Sequence, residues 1–137
     1  MNKRALAIFT GGLLFAGIAL AAAPAEFKVP FGIRVAGKDL AAGDYAVAKT
    51  AEDGIVLKQV SSGKEIALTV LDRIKPEAPV AEPRLIFDEV GDFAPSYTEY
   101  ITVYVLSEVW FAGEDGYRVH LTKGAHKTRV VTGAVAK

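Results

Sequence analysis

Hydrophobic and polar residues alternate along the chain directly after residue 26. Apolar side chains recur at every second position, and charged residues, proline or glycine stand between them. A period of two places the apolar set on one face of a β-strand. Pro30 cannot donate a hydrogen bond to a neighbouring strand, so this strand is predicted to bend there or to lie at a sheet edge. The alternating apolar residues are Phe27, Val29, Phe31, Ile33 and Val35.

Turn sequences divide the next region into short strands. Residues 36–39 (Ala-Gly-Lys-Asp) are the first turn signal, Asp53-Gly54 is the second and residues 61–64 are the third. The Asp-Gly pair favours a tight hairpin because it supplies a positive φ. Turns that recur about every ten residues are typical of an antiparallel meander in a sandwich or barrel. The strands predicted between them cover residues 45–48, 55–60 and 65–71.

Three prolines interrupt this pattern between residues 74 and 83. Proline lacks the backbone donor and fixes φ, which excludes both a regular helix and a central strand. We therefore expect a long surface crossing here, which could lead from one sheet to another. Strand structure is predicted to resume at residues 85–87 and to end at Gly91-Asp92, before a loop at residues 93–96.

Residues 97–111 are the most β-prone run of the sequence. They combine tyrosine, tryptophan and phenylalanine with threonine, isoleucine and valine, which suit a pleated surface. Because ~5–6 residues are usual for a strand, a bulge or bend near Ser107 is expected to split this run into two strands. A hairpin loop at residues 112–116 and a last strand at residues 117–121 follow. After that the pattern weakens, with one short strand possible at Val130-Val131.

These patterns predict an all-β fold, a single antiparallel β-sandwich or small barrel of about seven or eight strands behind an N-terminal signal-peptide helix. The domain is expected to cover residues 26–122, and residues 123–137 form a C-terminal tail that is weakly ordered or a short strand. The length suits one domain with one core. An integral outer-membrane barrel is not expected, because eight spanning strands of ~9–11 residues would nearly exhaust the chain.

Residues 1–25 have the features of an export signal. Lys3 and Arg4 precede an apolar run over residues 5–22, and residues 23–25 (Ala-Pro-Ala) place small side chains at positions −3 and −1 of a signal-peptidase site. Cleavage is expected after Ala25, which would leave no stable membrane span and would send the protein to the periplasm or the extracellular space. The alternative is an uncut anchor, since ~20 apolar residues suffice to cross a bilayer.

Composition excludes several classes of function. The chain has 16 basic and 16 acidic residues with the two signs interspersed, so no basic stripe points to nucleic acid. Two of the basic residues lie in the signal, which leaves the mature chain at a net charge of about −2. The absence of cysteine excludes disulfides, thiol catalysis and thiolate metal sites. No cofactor motif is present, because the glycine pattern of a phosphate-binding loop is missing.

Several short motifs together resemble a known family. In their order along residues 27–116 they are similar to a family of small exported bacterial proteins of unknown function. This resemblance implies export and β structure, and it adds no chemistry because the family has no established activity. The motifs are Val-Pro-Phe at 29–31, Val-Ala-Gly-Lys at 35–38, Leu-Ala-Ala-Gly-Asp-Tyr at 40–45, Glu-Pro-Arg-Leu-Ile-Phe at 82–87, Gly-Asp at 91–92 and Leu-Ser-Glu-Val-Trp at 106–110.

Aromatic residues of the long strand are the candidate binding surface. If the isoleucine and valine side of this strand faces the core, Tyr100 and Tyr104 form an outward ridge that could stack on sugars or dock a protein. The structural alternative is an ordinary half-buried strand face. Trp110 is interpreted as a core or rim aromatic that could join the same surface.

Polar candidates for chemistry are few. His120 and His126 would need a third ligand, such as Glu108, Glu114 or Asp115, to hold a metal, and two exposed histidines are the simpler interpretation. The acidic stretches 88–92 and 114–116 follow no calcium-binding pattern. Glu108, two residues before Trp110, would suggest a glycosidase only with a second carboxylate. No catalytic set and no metal site are therefore predicted.

The resulting functional hypothesis is an exported, non-enzymatic β module for binding, adhesion or attachment within the cell envelope. Its expected partner is an unidentified protein or glycan of the envelope. One alternative is a carbohydrate-active or other hydrolase that uses Glu108 with an acidic loop. A further alternative is a carrier that holds a small apolar ligand inside a barrel.

Overall fold

Twelve β-strands and no helix are present in the part of the chain that the computed structural model describes, which is residue 15, residue 20 and residues 23–93 and 99–136. The prediction of an all-β fold is confirmed. The predicted signal-peptide helix and residues 94–98 lie outside the described residues. More strands form than the seven or eight expected, because five of them are only two or three residues long. The strands are β1 (Ala25–Val29), β2 (Ile33–Val35), β3 (Lys38–Leu40), β4 (Gly43–Lys49), β5 (Ile55–Gln59), β6 (Glu65–Leu68), β7 (Asp72–Ile74), β8 (Arg84–Phe93), β9 (Tyr100–Trp110), β10 (Gly116–Arg118), β11 (Lys127–Thr132) and β12 (Ala134–Val135).

The strands form two sheets, and no closed barrel is present among the described residues. Sheet 1 has the order β12-β1-β4-β5-β6, and all of its pairs are antiparallel. Sheet 2 has the order β11-β8-β9-β10-β7. The β2–β3 hairpin joins sheet 2 through a parallel pairing of β2 with β9 at Arg34 and Val105. Its turn places Ala36 at φ 51° and Gly37 at φ 80°, as a two-residue hairpin turn with two left-handed residues requires.

Both sheets contribute side chains to one hydrophobic core. The alternation predicted for the first strand is confirmed within β1, where Phe27 and Val29 are buried and Glu26 and Lys28 are exposed. On the facing side, Leu85 and Phe87 of β8 are fully buried. The predicted alternation thus supplies the apolar faces that meet between the sheets.

Strand β4 departs from simple alternation because it is buried on both sides. Ala46 and Ala48 point away from the main core, yet both are fully buried. They form a second small cluster with Val56 of β5 and with Phe15, and Leu20 packs against it. The outer face of sheet 1 is thus covered at this place by side chains from the N-terminal segment. No apolar helix of membrane-spanning length occurs in the part of the chain that the structure describes.

The long strand β9 carries the irregularity predicted for it. Phe87 pairs with Leu106 and Ile86 pairs with Glu108, so Ser107 is an extra residue in the β8–β9 ladder. The bulge predicted near Ser107 is therefore confirmed, but the expected split into two strands is wrong, because β9 continues through the bulge as one strand of 11 residues. Because one residue is inserted, side chains beyond Ser107 change faces relative to the even-odd pattern of the sequence.

Two of the chain's connections differ from expectation. The chain changes from sheet 1 to sheet 2 between β1 and β2 and again between β6 and β7, both ahead of the proline-rich stretch. Residues 75–83 instead link β7 to β8 within sheet 2, past β10 and β9.

The C-terminal segment contributes two strands, β11 against β8 and β12 against β1, although its apolar pattern is weak. In this segment the hydrogen bonds to a neighbouring strand stabilise the β structure, and a local alternation of apolar residues is not needed.

Residues 119–126, which we term the crossing connection, link β10 to β11. These two strands lie on opposite sides of the β8–β9 pair, so the connection must cross both strands. Phe87 of β8 faces the core, and its neighbour Asp88 therefore points to the opposite, outer face of sheet 2. Contacts from the crossing connection to Asp88 place it on this outer face.

A chain that begins at Ala23 is expected to be more stable than one that begins at Glu26, by about 1–3 kcal/mol. The shorter chain lacks Ala25, which is 2% exposed and pairs with Val47 and Val135. It also lacks the Pro24 carbonyl, which accepts a hydrogen bond from the Ala136 amide at 2.8 Å. Urea denaturation of the purified chains measures the difference.

A chain that begins at Pro24 is the matched control, because it keeps both features and drops only an exposed alanine. It should equal the longer chain in stability. Equal stability of the chains that begin at Ala23 and Glu26 would contradict this account of β1. The signal-peptidase cut after Ala25 stays a prediction, and this measurement reports the part of its cost that comes from residues 23–25.

Candidate functional site

A buried carboxylate lies at the centre of the outer face of sheet 2. Asp88 is only 4% exposed, and its two oxygens accept hydrogen bonds from different parts of the chain. Ser107 Oγ donates to Oδ1 at 3.0 Å, and Thr122 Oγ1 donates to Oδ2 at 2.6 Å. His126 Nε2 lies 3.3 Å from Oδ1. Two of these three partners belong to the crossing connection, so the carboxylate holds that connection against β8 and β9.

Both ring nitrogens of His126 face acceptor groups. Its Nδ1 lies 3.0 Å from the Gly124 carbonyl oxygen, and its Nε2 faces the carboxylate of Asp88. The carbonyl and the carboxylate both act as acceptors, so His126 bridges the backbone of its own connection and the buried carboxylate of β8.

The bulge at Ser107 anchors the other end of the crossing connection. The Ser107 carbonyl accepts a hydrogen bond from the Val119 amide at 2.8 Å and a longer one from the His120 amide at 3.3 Å. An extra residue in one strand leaves its backbone groups free of the ladder, and here the connection uses one of them. The connection is therefore fixed at both ends, by a backbone carbonyl and by a buried carboxylate.

These residues do not form a serine-hydrolase triad. Such a triad needs the histidine between the serine and the acid, so that the ring can take the hydroxyl proton. Here Ser107 Oγ contacts the carbonyl of Ile86 and the carboxylate of Asp88, and His126 contacts the same carboxylate from its own side. Ser107 is also only 3% exposed. The arrangement is that of a structural hydrogen-bond cluster.

A cleft of about 530 Å³ lies beside this cluster. It occupies the place where β9 is bordered first by β2, at Val105, and then by β10, from Glu108 onwards. Val90 and Val105 belong to the outer face of sheet 2, and the crossing connection lies at the opposite wall. The cleft is lined by Arg34, Val35, Ala36, Gly37, Leu68, Thr69, Val90, Val105, Leu106, Val119, His120, Leu121, Thr122 and Lys123.

Most of this lining is apolar, and its charged groups are all basic. Arg34 forms ion pairs with Asp39 at 2.8 Å and with Asp92 at 3.0 Å, which offset its charge. The hydrogen bonds to Asp39 and then to Asp92 raise the pKa of Arg34. Lys123 and the His120 ring form no hydrogen bond or ion pair with the residues that the structure describes. The cleft thus combines apolar walls with an unpaired ammonium group.

A second hollow, of about 460 Å³, lies against sheet 1 and differs in charge. Glu26, Lys28 and Asp44 line it together, and Lys28 lies 3.8 Å from Asp44. Tyr45 lies below them, and burial raises the pKa of its phenol. Two carboxylates and one ammonium group line this hollow, so it has an excess of negative charge and would not favour an anion.

The three aromatic residues predicted as a binding surface do not share one surface. Tyr104 lies on the core side of β9, where its ring is 4.3 Å from that of Phe31. The outward ridge of Tyr100 and Tyr104 depended on the isoleucine and valine side of β9 facing the core, and that condition is not met, because Val105 belongs to the outer face of sheet 2. Tyr100 lies at the exposed end of the strand, with 68% of its surface accessible and its ring over Gly91.

Trp110 is separated from the tyrosines by the bulge. It is 6% exposed and lies on the outer face, where its Nε1 donates to Glu108 Oε1 at 2.8 Å. Its indole ring covers Gly116, where a Cβ atom would come within 2.5 Å of the ring. The guanidinium of Arg84 lies 5.5 Å from the ring centroid. Trp110 therefore packs as a structural aromatic, and Glu108 serves as its hydrogen-bond acceptor.

Other acidic and histidine residues singled out in the sequence lie apart from one another. Glu114 forms an ion pair with Lys49 at 2.7 Å, which links the 112–116 loop to β4. Asp88 belongs to a buried strand position and not to an acidic loop, because β8 extends through it. His126 contacts Asp88, whereas His120 lines the cleft. The described ranges contain no group of three histidine or acidic residues placed to hold a metal ion.

Comparisons of the chain with protein-family models, with curated proteins and with solved structures find no match. Function is therefore inferred from the cleft, its charges and the hydrogen-bond cluster beside it.

Replacement of Asp88 by alanine should lower the free energy of unfolding by about 2–4 kcal/mol, because buried donors lose a charged acceptor. Hydrogen exchange at residues 119–126 should rise together with the loss of stability, since both anchoring side chains of the connection are released. Urea denaturation and exchange mass spectrometry provide the two measurements.

Asp72→Ala is the matched control, because Asp72 pairs with Arg118 at the surface with 60% of its side chain exposed. Its cost should stay below about 1 kcal/mol. An Asp88→Ala variant as stable as this control would show that the cluster does not hold the connection.

Proposed function

We propose that the protein is an exported, non-enzymatic binding module that takes a small apolar ligand into the cleft beside the crossing connection. The observation that carries this proposal is the cleft itself. Its volume of about 530 Å³ falls within the ~300–1,000 Å³ typical of small-molecule sites. Its walls are mostly apolar, as such sites generally are. The proposal unites two hypotheses from the sequence, a binding module and a carrier of a small apolar ligand.

The construction of the cleft supports a preformed site. Val105 is only 8% exposed and lies in the middle of β9, which pairs on both sides. The opposite wall is held by the hydrogen bonds to Asp88 and to the Ser107 carbonyl. A rigid site loses less conformational entropy than a mobile one when a ligand binds, and this difference favours binding.

Export is proposed from the sequence of residues 1–25. The basic start, the apolar run and the Ala-Pro-Ala end together support passage through a membrane and delivery to the periplasm or the extracellular space. The chain has no cysteine, so its fold contains no disulfide. The stability of the protein then depends on the core that the two sheets share in a sandwich arrangement. Association with an envelope protein or glycan remains part of the proposal, with the exposed Tyr100 as its contact point.

A non-enzymatic role is favoured over the hydrolase alternative because the acidic candidates have structural partners. Glu108 accepts the hydrogen bond of the Trp110 indole, and Glu114 is held by Lys49. A glycosidase needs two carboxyl groups that are available to a sugar and its attacking water. No observation on the described residues favours that chemistry, so it is not proposed.

Binding of the uncharged fluorescent probe N-phenyl-1-naphthylamine tests the cleft. The wild-type chain should bind it with a blue-shifted, enhanced emission, and Leu121→Asp should weaken binding about tenfold. Leu121 is 66% exposed and lines the cleft, so this substitution places a charge at the apolar wall with little effect on folding.

Leu71→Asp is the matched control, because Leu71 is also exposed, at 53%, and does not line the cleft. It should bind the probe as the wild type does. Failure of the wild-type chain to bind the probe, or equal loss in both variants, would overturn the assignment of the cleft.

A further inference from the structure

We infer that the ligand of this cleft carries an anionic head group on an apolar body, as an alkyl carboxylate does. This inference rests on the proposed binding function and specifies the class of molecule bound. It begins from the sign of the charges around the cleft. Arg34, His120 and Lys123 all line it, and no acidic residue does.

Lys123 is the group that selects the charge of the ligand. Arg34 already has two carboxylate partners, so its charge is more than offset before any ligand arrives. Lys123 forms no ion pair or hydrogen bond with the described residues, and its ammonium group is free to meet an anion. A cationic ligand would be repelled there, and a neutral ligand would gain nothing from it.

The position of Lys123 along the chain fixes where the head group lies. Its neighbour Thr122 donates to the buried carboxylate of Asp88 at 2.6 Å, which holds this part of the crossing connection in place. On the other side, Leu121 lines the cleft as an apolar group. An amphipathic anion could therefore place its chain against Val105 and Leu121 and its head group at the Lys123 end of the same wall.

The hollow on sheet 1 provides an internal comparison. It has a similar volume, about 460 Å³, but its lysine is matched by acidic neighbours. An anionic ligand would not be preferred there, because two carboxylates outnumber the one lysine. A preference for anions therefore distinguishes binding in the cleft from adventitious binding in that hollow.

Isothermal titration with three probes of equal chain length tests the inference. Octanoate, 1-octanol and octylammonium share one alkyl body and differ in head-group charge. The wild-type chain should bind octanoate about fivefold more tightly than 1-octanol, as expected for one partly exposed charge contact, and octylammonium more weakly than both. Raised salt should reduce the preference for octanoate and leave the binding of 1-octanol unchanged.

Lys123→Gln should bring the affinity for octanoate to within about twofold of that for 1-octanol, while the affinity for 1-octanol stays the same. Lys75→Gln is the matched control, because Lys75 is an exposed lysine outside the cleft and should keep the full preference. Both positions lie at the surface, so both variants are expected to fold.

The outcomes separate this inference from the proposed function. Equal binding of octanoate and 1-octanol by the wild type would overturn the inference and leave the apolar cleft in place. An anion preference that persists in Lys123→Gln would overturn it as well, since the charge would then act elsewhere. Binding of none of the three probes would remove the proposed function along with the inference.

Discussion

The hydrogen bonds to the buried carboxylate of Asp88 are the interaction on which the arrangement of the C-terminal part depends. Asp88 lies on the outer face of β8, and its partners come from β9 and from the crossing connection. The connection must pass over two strands before β11 can pair with β8 and β12 can pair with β1. The carboxylate of Asp88 therefore supports the pairing of both β11 and β12. Its removal is expected to be costly, because the buried donors would be left without an acceptor.

The same contacts give the cleft its shape. One wall consists of paired strand residues, and the other is the connection that Asp88 and the Ser107 carbonyl hold in place. The bulge at Ser107 links the two features, since it frees a carbonyl for the connection and directs its side chain to Asp88. The same contacts therefore hold the crossing connection and shape the proposed ligand site. A substitution of Asp88 is expected to change the shape of the cleft.

The sequence predicted the local features well and the long-range ones poorly. Alternation over Phe27 and Val29, the turn at Ala36-Gly37 and the bulge at Ser107 depend on neighbouring residues, and all three are present. The partners of Asp88 lie 19, 34 and 38 residues away, at Ser107, Thr122 and His126, so no local pattern could reveal them. The orientation of β9 was left open by the sequence, because both of its faces carry β-prone residues, and in the structure Val105 lies on the outer face. The bulge then moved Trp110 to the face opposite Tyr104, which periodicity alone cannot predict.

Nuclear magnetic resonance of the methyl groups with bound octanoate tests the central claim most directly. The account predicts intermolecular Overhauser contacts from the alkyl chain to the methyl groups of both Val105 and Leu121, which lie on the two opposing walls of the cleft. Contacts to Val60 in the hollow on sheet 1, with none to Val105 or Leu121, would contradict it.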